Sequence, residues 1–124
     1  MEPIIIKGSD ELPEIILDKI NSKFEFSGRS LPEDATEFYQ PVQSWISDYI
    51  KNPNPVTILN FHLEYFNSSS ARRIVEILMQ LEQLLETPNK VTVVWHYEMN
   101  DDLMKARGEE IRAVIEIPFE IRGF

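Results

Sequence analysis

The sequence predicts an α/β fold, and three observations carry that prediction. Short runs rich in Ile, Val, Phe and Tyr recur along the chain, as strands require. Between the later runs, apolar residues fall at the spacing of an amphipathic helix. Segments such as Asn52-Pro-Asn-Pro55 and Thr87-Pro-Asn separate the two kinds of pattern. Strands that alternate with helices imply right-handed crossovers and a partly parallel sheet.

The elements follow in order. Pro3-Ile-Ile-Ile-Lys7 and Glu14-Ile-Ile-Leu-Asp18 are short β-branched runs, and Lys23-Phe-Glu-Phe-Ser27 alternates strictly. Phe24 and Phe26 therefore share one face of a strand that Gly28 ends, and the three runs suit a small antiparallel meander. From Glu37 to Ile50 the residues Phe38, Val42, Trp45, Ile46 and Tyr49 take helical spacing. Proline is tolerated only in a first turn, so this helix is expected to become regular near Pro41.

Val56 to Phe66 reads as the longest strand, with Leu59, Phe61, Leu63 and Tyr65 on one face. Val56 and Ile58 make the other face apolar too, as in a central strand covered on both sides. Ala71 to Leu85 carries the clearest helical stripe: Ala71, Ile74, Leu78, Leu81 and Leu85. Lys90 to Tyr97 reads as another interior strand. A helix over Asp101–Val114 turns Leu103, Met104, Ile111 and Val114 inward, with Gly108 a weak point, and Ile115–Ile121 closes the chain as a strand. The order is β-β-β-α-β-α-β-α-β, in one domain spanning residues 1–124.

Composition narrows the function. A net charge of −9 and a pI near 4.6 oppose nucleic acid as a ligand, because phosphate binding needs a concentrated positive field. The sequence has no cysteine, so disulfides, thiolate nucleophiles and cysteine zinc sites are all excluded. His62 and His96 match no metal-ligand spacing. No apolar run approaches the roughly 20 residues of a membrane span. The expectation is a soluble, cytoplasmic protein with no cofactor, metal, nucleic acid or membrane partner.

One stretch stands out: Glu64-Tyr-Phe-Asn-Ser-Ser-Ser-Ala-Arg-Arg73, where the longest strand hands over to the best helix. A serine there can cap the helix by accepting from a free backbone N–H, worth about 1 kcal/mol. That role uses one of three hydroxyls. The others sit, with Asn67, where unpaired amides favour an anion. A phosphate on such a serine adds roughly −1.5 to −2 charges and three acceptor oxygens. Arg72 and Arg73 can add to that positive field if their side chains fold back. A nucleophilic serine is disfavoured, since Gly-x-Ser-x-Gly is absent and both histidines fall inside strands.

Several segments taken in order resemble the SiaC-type bacterial regulatory phosphoproteins. They are Gly28-Arg-Ser-Leu-Pro-Glu33, Phe38-Tyr-x-Pro41 with Trp45 and Tyr49, and Tyr65-Phe-Asn-Ser-Ser-Ser70. Trp95-x-Tyr97, Asp101-Asp-x-Met104, Gly108-Glu and Pro118-Phe-Glu120 complete the set. The resemblance implies a STAS-like fold, that of the anti-sigma-factor antagonists, and a phosphoacceptor at the first hydroxyl after the asparagine, Ser68. The family often has threonine there. It further implies a partner kinase, a PP2C-type phosphatase, and an unphosphorylated form that activates a diguanylate cyclase, raising cyclic di-GMP and promoting biofilm. Two departures bear on partner identity: the acidic segment before the third helix is sparser than usual, and the expected Glu-x-Gly-Glu reads Ala106-Arg-Gly-Glu109.

Other candidates have plainer readings beside their functional ones. Asp101 and Asp102 resemble paired carboxylates, yet negative charge at a helix start already has a structural use. Arg29, Glu33, Asp101 and Asp102 are the candidate partner contacts, and the plainer reading of the first two is a salt-bridged turn. Trp45, Tyr49, Trp95 and Tyr97 are expected in the core, and His62 and His96 are expected to be cross-strand neighbours. Two further functions stay open: an anti-sigma-factor antagonist, and a small hydrolase or ligand-binding domain using Ser68, Arg72 and Asp101. The second requires a concave pocket joining those three residues.

Overall fold

A computed structural model describes all residues, 1–124. Its elements are β1 (Ile4–Ile6), β2 (Glu14–Asp18), β3 (Lys23–Ser30), α1 (Ala35–Tyr49), β4 (Val56–Phe66), α2 (Ser68–Leu81), β5 (Lys90–Tyr97), α3 (Asp102–Arg112) and β6 (Phe119–Gly123). The six strands form one sheet in sequence order, β1-β2-β3-β4-β5-β6. The first three are antiparallel, as the expected meander requires, and β3 through β6 run parallel. The α/β order therefore matches the sequence expectation element for element.

Each of α1, α2 and α3 connects neighbouring parallel strands. Crossovers of one hand between strands added in one direction place all three helices on the same face. The core lies between that face and the helices, around Phe24, Phe26, Leu59, Phe61, Val93 and Trp95. The opposite face is open. Val56 and Ile58 are 51% and 45% exposed, which corrects the expectation of a strand covered on both sides. A β-branched run on an outer face mimics a two-sided strand because β propensity rewards it without burial.

A bulge re-aims the end of β4. Gly28 pairs with Leu63 and Arg29 with Tyr65, so Glu64 is skipped. The skip reverses the alternation: Tyr65 turns to the open face and Phe66 turns into the core. The sequence expectation that Tyr65 shares a face with Leu63 fails for this reason. Gly28, at φ 89°, supplies the backbone conformation that lets β3 continue to Ser30 through the irregularity.

Three helix expectations also shift. The first helix starts at Ala35, capped by Asp34, whose carboxylate accepts from the Glu37 amide at 3.0 Å. Pro41 is thus inside it and forgoes the bond to the Glu37 carbonyl; both residues are exposed, so solvent satisfies that oxygen. After Leu81 the chain tightens into a 3-10 turn, Glu82–Glu86, which buries Leu84 and leaves Leu85 exposed. On α3, Met104 and Ile111 point inward, whereas Leu103 lies round the helix from them and Val114 follows its end.

Gly108 is a packing requirement where the sequence suggested a weak point. A β-carbon there would lie 2.5 Å from Trp95 Cδ1 and 2.6 Å from Nε1. The missing side chain lets α3 rest on the indole, whose Nε1 donates to the Met104 carbonyl at 3.0 Å. Trp45 and Tyr49 are buried as expected, while Tyr97 is only half-buried. The last strand begins at Phe119, later than expected, because Pro118 has no N–H to give a ladder.

Candidate functional site

Asn67, not a serine, caps α2. Its side-chain oxygen accepts from the Ser70 amide at 2.9 Å and from the Ser69 hydroxyl at 3.2 Å. Asparagine is as good a cap as serine, so the three serines become the helix's opening residues and the helix starts three residues earlier than its apolar stripe suggests. This corrects the assignment of the cap to a serine hydroxyl.

The three hydroxyls have three different fates. Ser70 is fully buried. Tyr39 donates to Ser30 Oγ at 2.6 Å, Ser30 Oγ donates to Ser70 Oγ at 2.9 Å, and Ser70 Oγ donates to the Ser30 carbonyl at 3.1 Å. This chain of bonds fastens α1, β3 and α2 together. Burial pushes the Tyr39 phenol up to about 12, against hydrogen bonds from Ser30 and Ser70 that act the other way. Ser69 is exposed but held by Asn67. Ser68 is exposed, and its hydroxyl makes no hydrogen bond within the chain.

Ser68 opens onto a groove between α2 and α3. One part, of about 400 Å³, is lined by Tyr65, Phe66, Asn67, Ser68, Arg107 and Glu110, among others. The adjoining part shares Ser68, Ala71 and Glu110 and continues past Arg72 and Val75. Arg107 and Glu110 face each other in an ion pair, the guanidinium donating to both carboxylate oxygens at 2.9 and 3.0 Å. The sequence marks Arg107 only within the departure Ala106-Arg-Gly-Glu109 and gives no sign of Glu110. Both lie on α3, about forty positions from Ser68, and only the β5 crossover brings them back beside it.

The two arginines named beside the serines part company. Arg72 is exposed and lines the groove, without an ion partner. Arg73 turns away to α1, donating to Thr36 Oγ1 and Glu76 Oε2 at 3.0 Å each, with its side chain only 17% exposed. It joins two helices and does not reach the serines.

Arg29 and Asp101 lie elsewhere. They line a second depression of about 340 Å³, at the edge of the open sheet face, with His62, His96 and Phe124. Ser68 is not part of it, so no single pocket unites Ser68, Arg72 and Asp101. The geometry that the hydrolase or ligand-binding alternative requires is therefore not met. Asp101 caps α3, accepting from the Met104 amide at 3.0 Å, and Asp102 occupies the first turn, which is the structural reading of the pair. Arg29 lies over the Tyr65 ring at 5.9 Å, and Glu33 is exposed in the loop before α1. They form no salt bridge with each other.

His62 and His96 are cross-strand neighbours, stacked at 3.8 Å between ring centres. His96 also pairs with Asn60 Oδ1 at 3.0 Å. Burial, then the His62 and Arg122 charges, hold the His96 imidazole below its usual range.

Fold and site together define a two-layer α/β protein with a bare sheet face and an unengaged serine heading its second helix. The chain belongs to the SiaC family of regulatory phosphoproteins, whose family model matches residues 6–124. It is 27% identical over 123 residues to an uncharacterized protein of Pseudomonas aeruginosa strain UCBPP-PA14, covering 99% of this chain and 98% of that one. Among solved structures it is similar to SiaC of Pseudomonas aeruginosa, at TM-score 0.88 and 27% identity over the full length of both chains. It is likewise similar to the SiaC in a crystal structure of the diguanylate cyclase SiaD with SiaC, its activator. That match has TM-score 0.90 and 26% identity over 98% of this chain and 99% of that one.

Proposed function

We propose that this chain is a non-enzymatic cytoplasmic switch protein, phosphorylated on Ser68 by a partner kinase and dephosphorylated by a PP2C-type phosphatase. Its unphosphorylated form binds and activates a diguanylate cyclase. The observation that carries the reading is the division of labour among the serines: only Ser68 combines exposure with an unengaged hydroxyl. A kinase can reach it without unfolding the helix. Ser70 lies beneath the surface within its bonded chain, and Ser69 must first give up Asn67.

The output follows from electrostatics. Adding about two negative charges to the surface above α2 leaves the core untouched and alters what a partner meets there. A relative that activates a diguanylate cyclase in a complex favours that effector over a sigma-factor pathway. The test is incubation with the cognate kinase and ATP, followed by mapping of the modified residue by mass spectrometry. A single phosphate on Ser68, lost in Ser68→Ala, is the expected result. Phosphate that persists in Ser68→Ala would refute the assignment.

A further inference from the structure

Resting on that reading of Ser68, we infer that Arg107 is the receptor for the phosphate, taken over from Glu110 when Ser68 is modified. Arg72, Arg73 and Arg107 lie on the two helices that flank the groove, and their surroundings separate them. Arg73 is committed to Thr36 and Glu76. Arg72 lies on the same helix as Ser68 and one turn on, so a contact between it and a phosphate on Ser68 would stay within α2. Arg107 projects from α3 into the groove part that Ser68 also lines, and only its link would join the two helices.

The resting state already shows what Arg107 binds. Its guanidinium holds both oxygens of the Glu110 carboxylate from one nitrogen, at 2.9 and 3.0 Å, with the two side chains 43% and 61% exposed. Such an exposed pair is weakly held and easily exchanged. A phosphate offers three oxygens and up to twice the charge, and a guanidinium fork fits two of those oxygens at once. Glu110 lines the same groove and repels the incoming dianion. The exchange therefore has an attractive and a repulsive component acting in one direction. Phosphorylation would clamp α2 to α3 and leave the Glu110 carboxylate unpaired on the groove wall.

The test installs phosphoserine at position 68 during synthesis, so that it does not depend on any kinase. The second ionisation of the phosphate is then followed by phosphorus NMR against pH. A neighbouring guanidinium favours the dianion and lowers that pKa; a neighbouring carboxylate raises it. Arg107→Gln is expected to raise it by about 0.7 unit, the value of one charge at about 4 Å in water. Glu110→Gln is expected to lower it, and Arg107→Lys to restore part of the wild-type value by keeping the charge without the fork. The unphosphorylated variants should unfold at the wild-type temperature, which separates this effect from a structural one. A pKa unchanged by Arg107→Gln, or shifted instead by Arg72→Gln alone, would overturn the inference. Failure of the kinase to modify Ser68 would defeat the proposed function and leave this measurement standing.

Discussion

Replacing Gly108 with alanine sets two effects of opposite sign against each other. In an exposed helix the change stabilises by about 1 kcal/mol, because glycine loses more backbone freedom on folding. At this position the new methyl meets Trp95 Cδ1 at 2.5 Å, Nε1 at 2.6 Å and Cγ at 2.9 Å. The indole cannot yield, being fully buried and packed against Phe61, Phe66 and Phe119. Helix α3 must lift instead. Overpacking of this kind costs about 1–3 kcal/mol, and lifting stretches the Trp95–Met104 hydrogen bond, worth about 1 kcal/mol more. The packing cost exceeds the helix-propensity gain, and the variant should lose about 1–3 kcal/mol in urea-induced unfolding. Arg107 and Glu110 ride on the same helix, so the groove beside Ser68 should widen as well. A Gly108→Ala protein as stable as wild type, or more so, would show that α3 does not rest on the indole.

Asn67→Ala removes the acceptor for the Ser70 amide and the Ser69 hydroxyl, and should cost about 1 kcal/mol in chemical unfolding, with Asn67→Asp close to neutral. Ser70→Ala leaves Ser30 without its acceptor in a sealed site and should cost about 1–3 kcal/mol, whereas Ser68→Ala should be nearly neutral in the same assay. Tyr39 is neutral in the fold up to about pH 12, while in the unfolded chain it ionises near 10. Its contribution is complete below pH 10 and is lost as pH rises from there to about 12, and Tyr39→Phe should lessen that alkaline fall. For His96, whose folded pKa is lowered, the sign reverses: stability is full above pH 6.5 and declines as pH drops below it, a decline that His96→Gln should reduce in acid titration followed by circular dichroism.

The element order was legible because periodicity and turn chemistry are local properties. Which face of a strand is covered is not local, and Val56 and Ile58 show the failure: their side chains suit a strand whether or not a helix lies over them. The bulge at Glu64 was equally hidden, since skipping one residue leaves no mark except the glycine opposite, Gly28, which looked like a strand end. At the site, the exposed serine was readable from its place between strand and helix. Its division of labour with Ser70 was not, because Ser30 and Tyr39 lie on other elements and meet it only in the fold. Arg107 and Glu110 were hidden for the same reason. One signal did exist for the cap: asparagine directly after an aromatic strand end competes with serine for that role on equal terms.

Binding to the proposed diguanylate cyclase partner, measured for three forms of the protein, probes the switch most directly. Unmodified protein and Ser68→Ala should bind alike, since neither carries the phosphate. Protein carrying phosphoserine at position 68 should bind at least about tenfold more weakly, a difference of about 1.4 kcal/mol that two surface charges readily supply. Equal affinity in all three forms would contradict a switch worked by charge on Ser68.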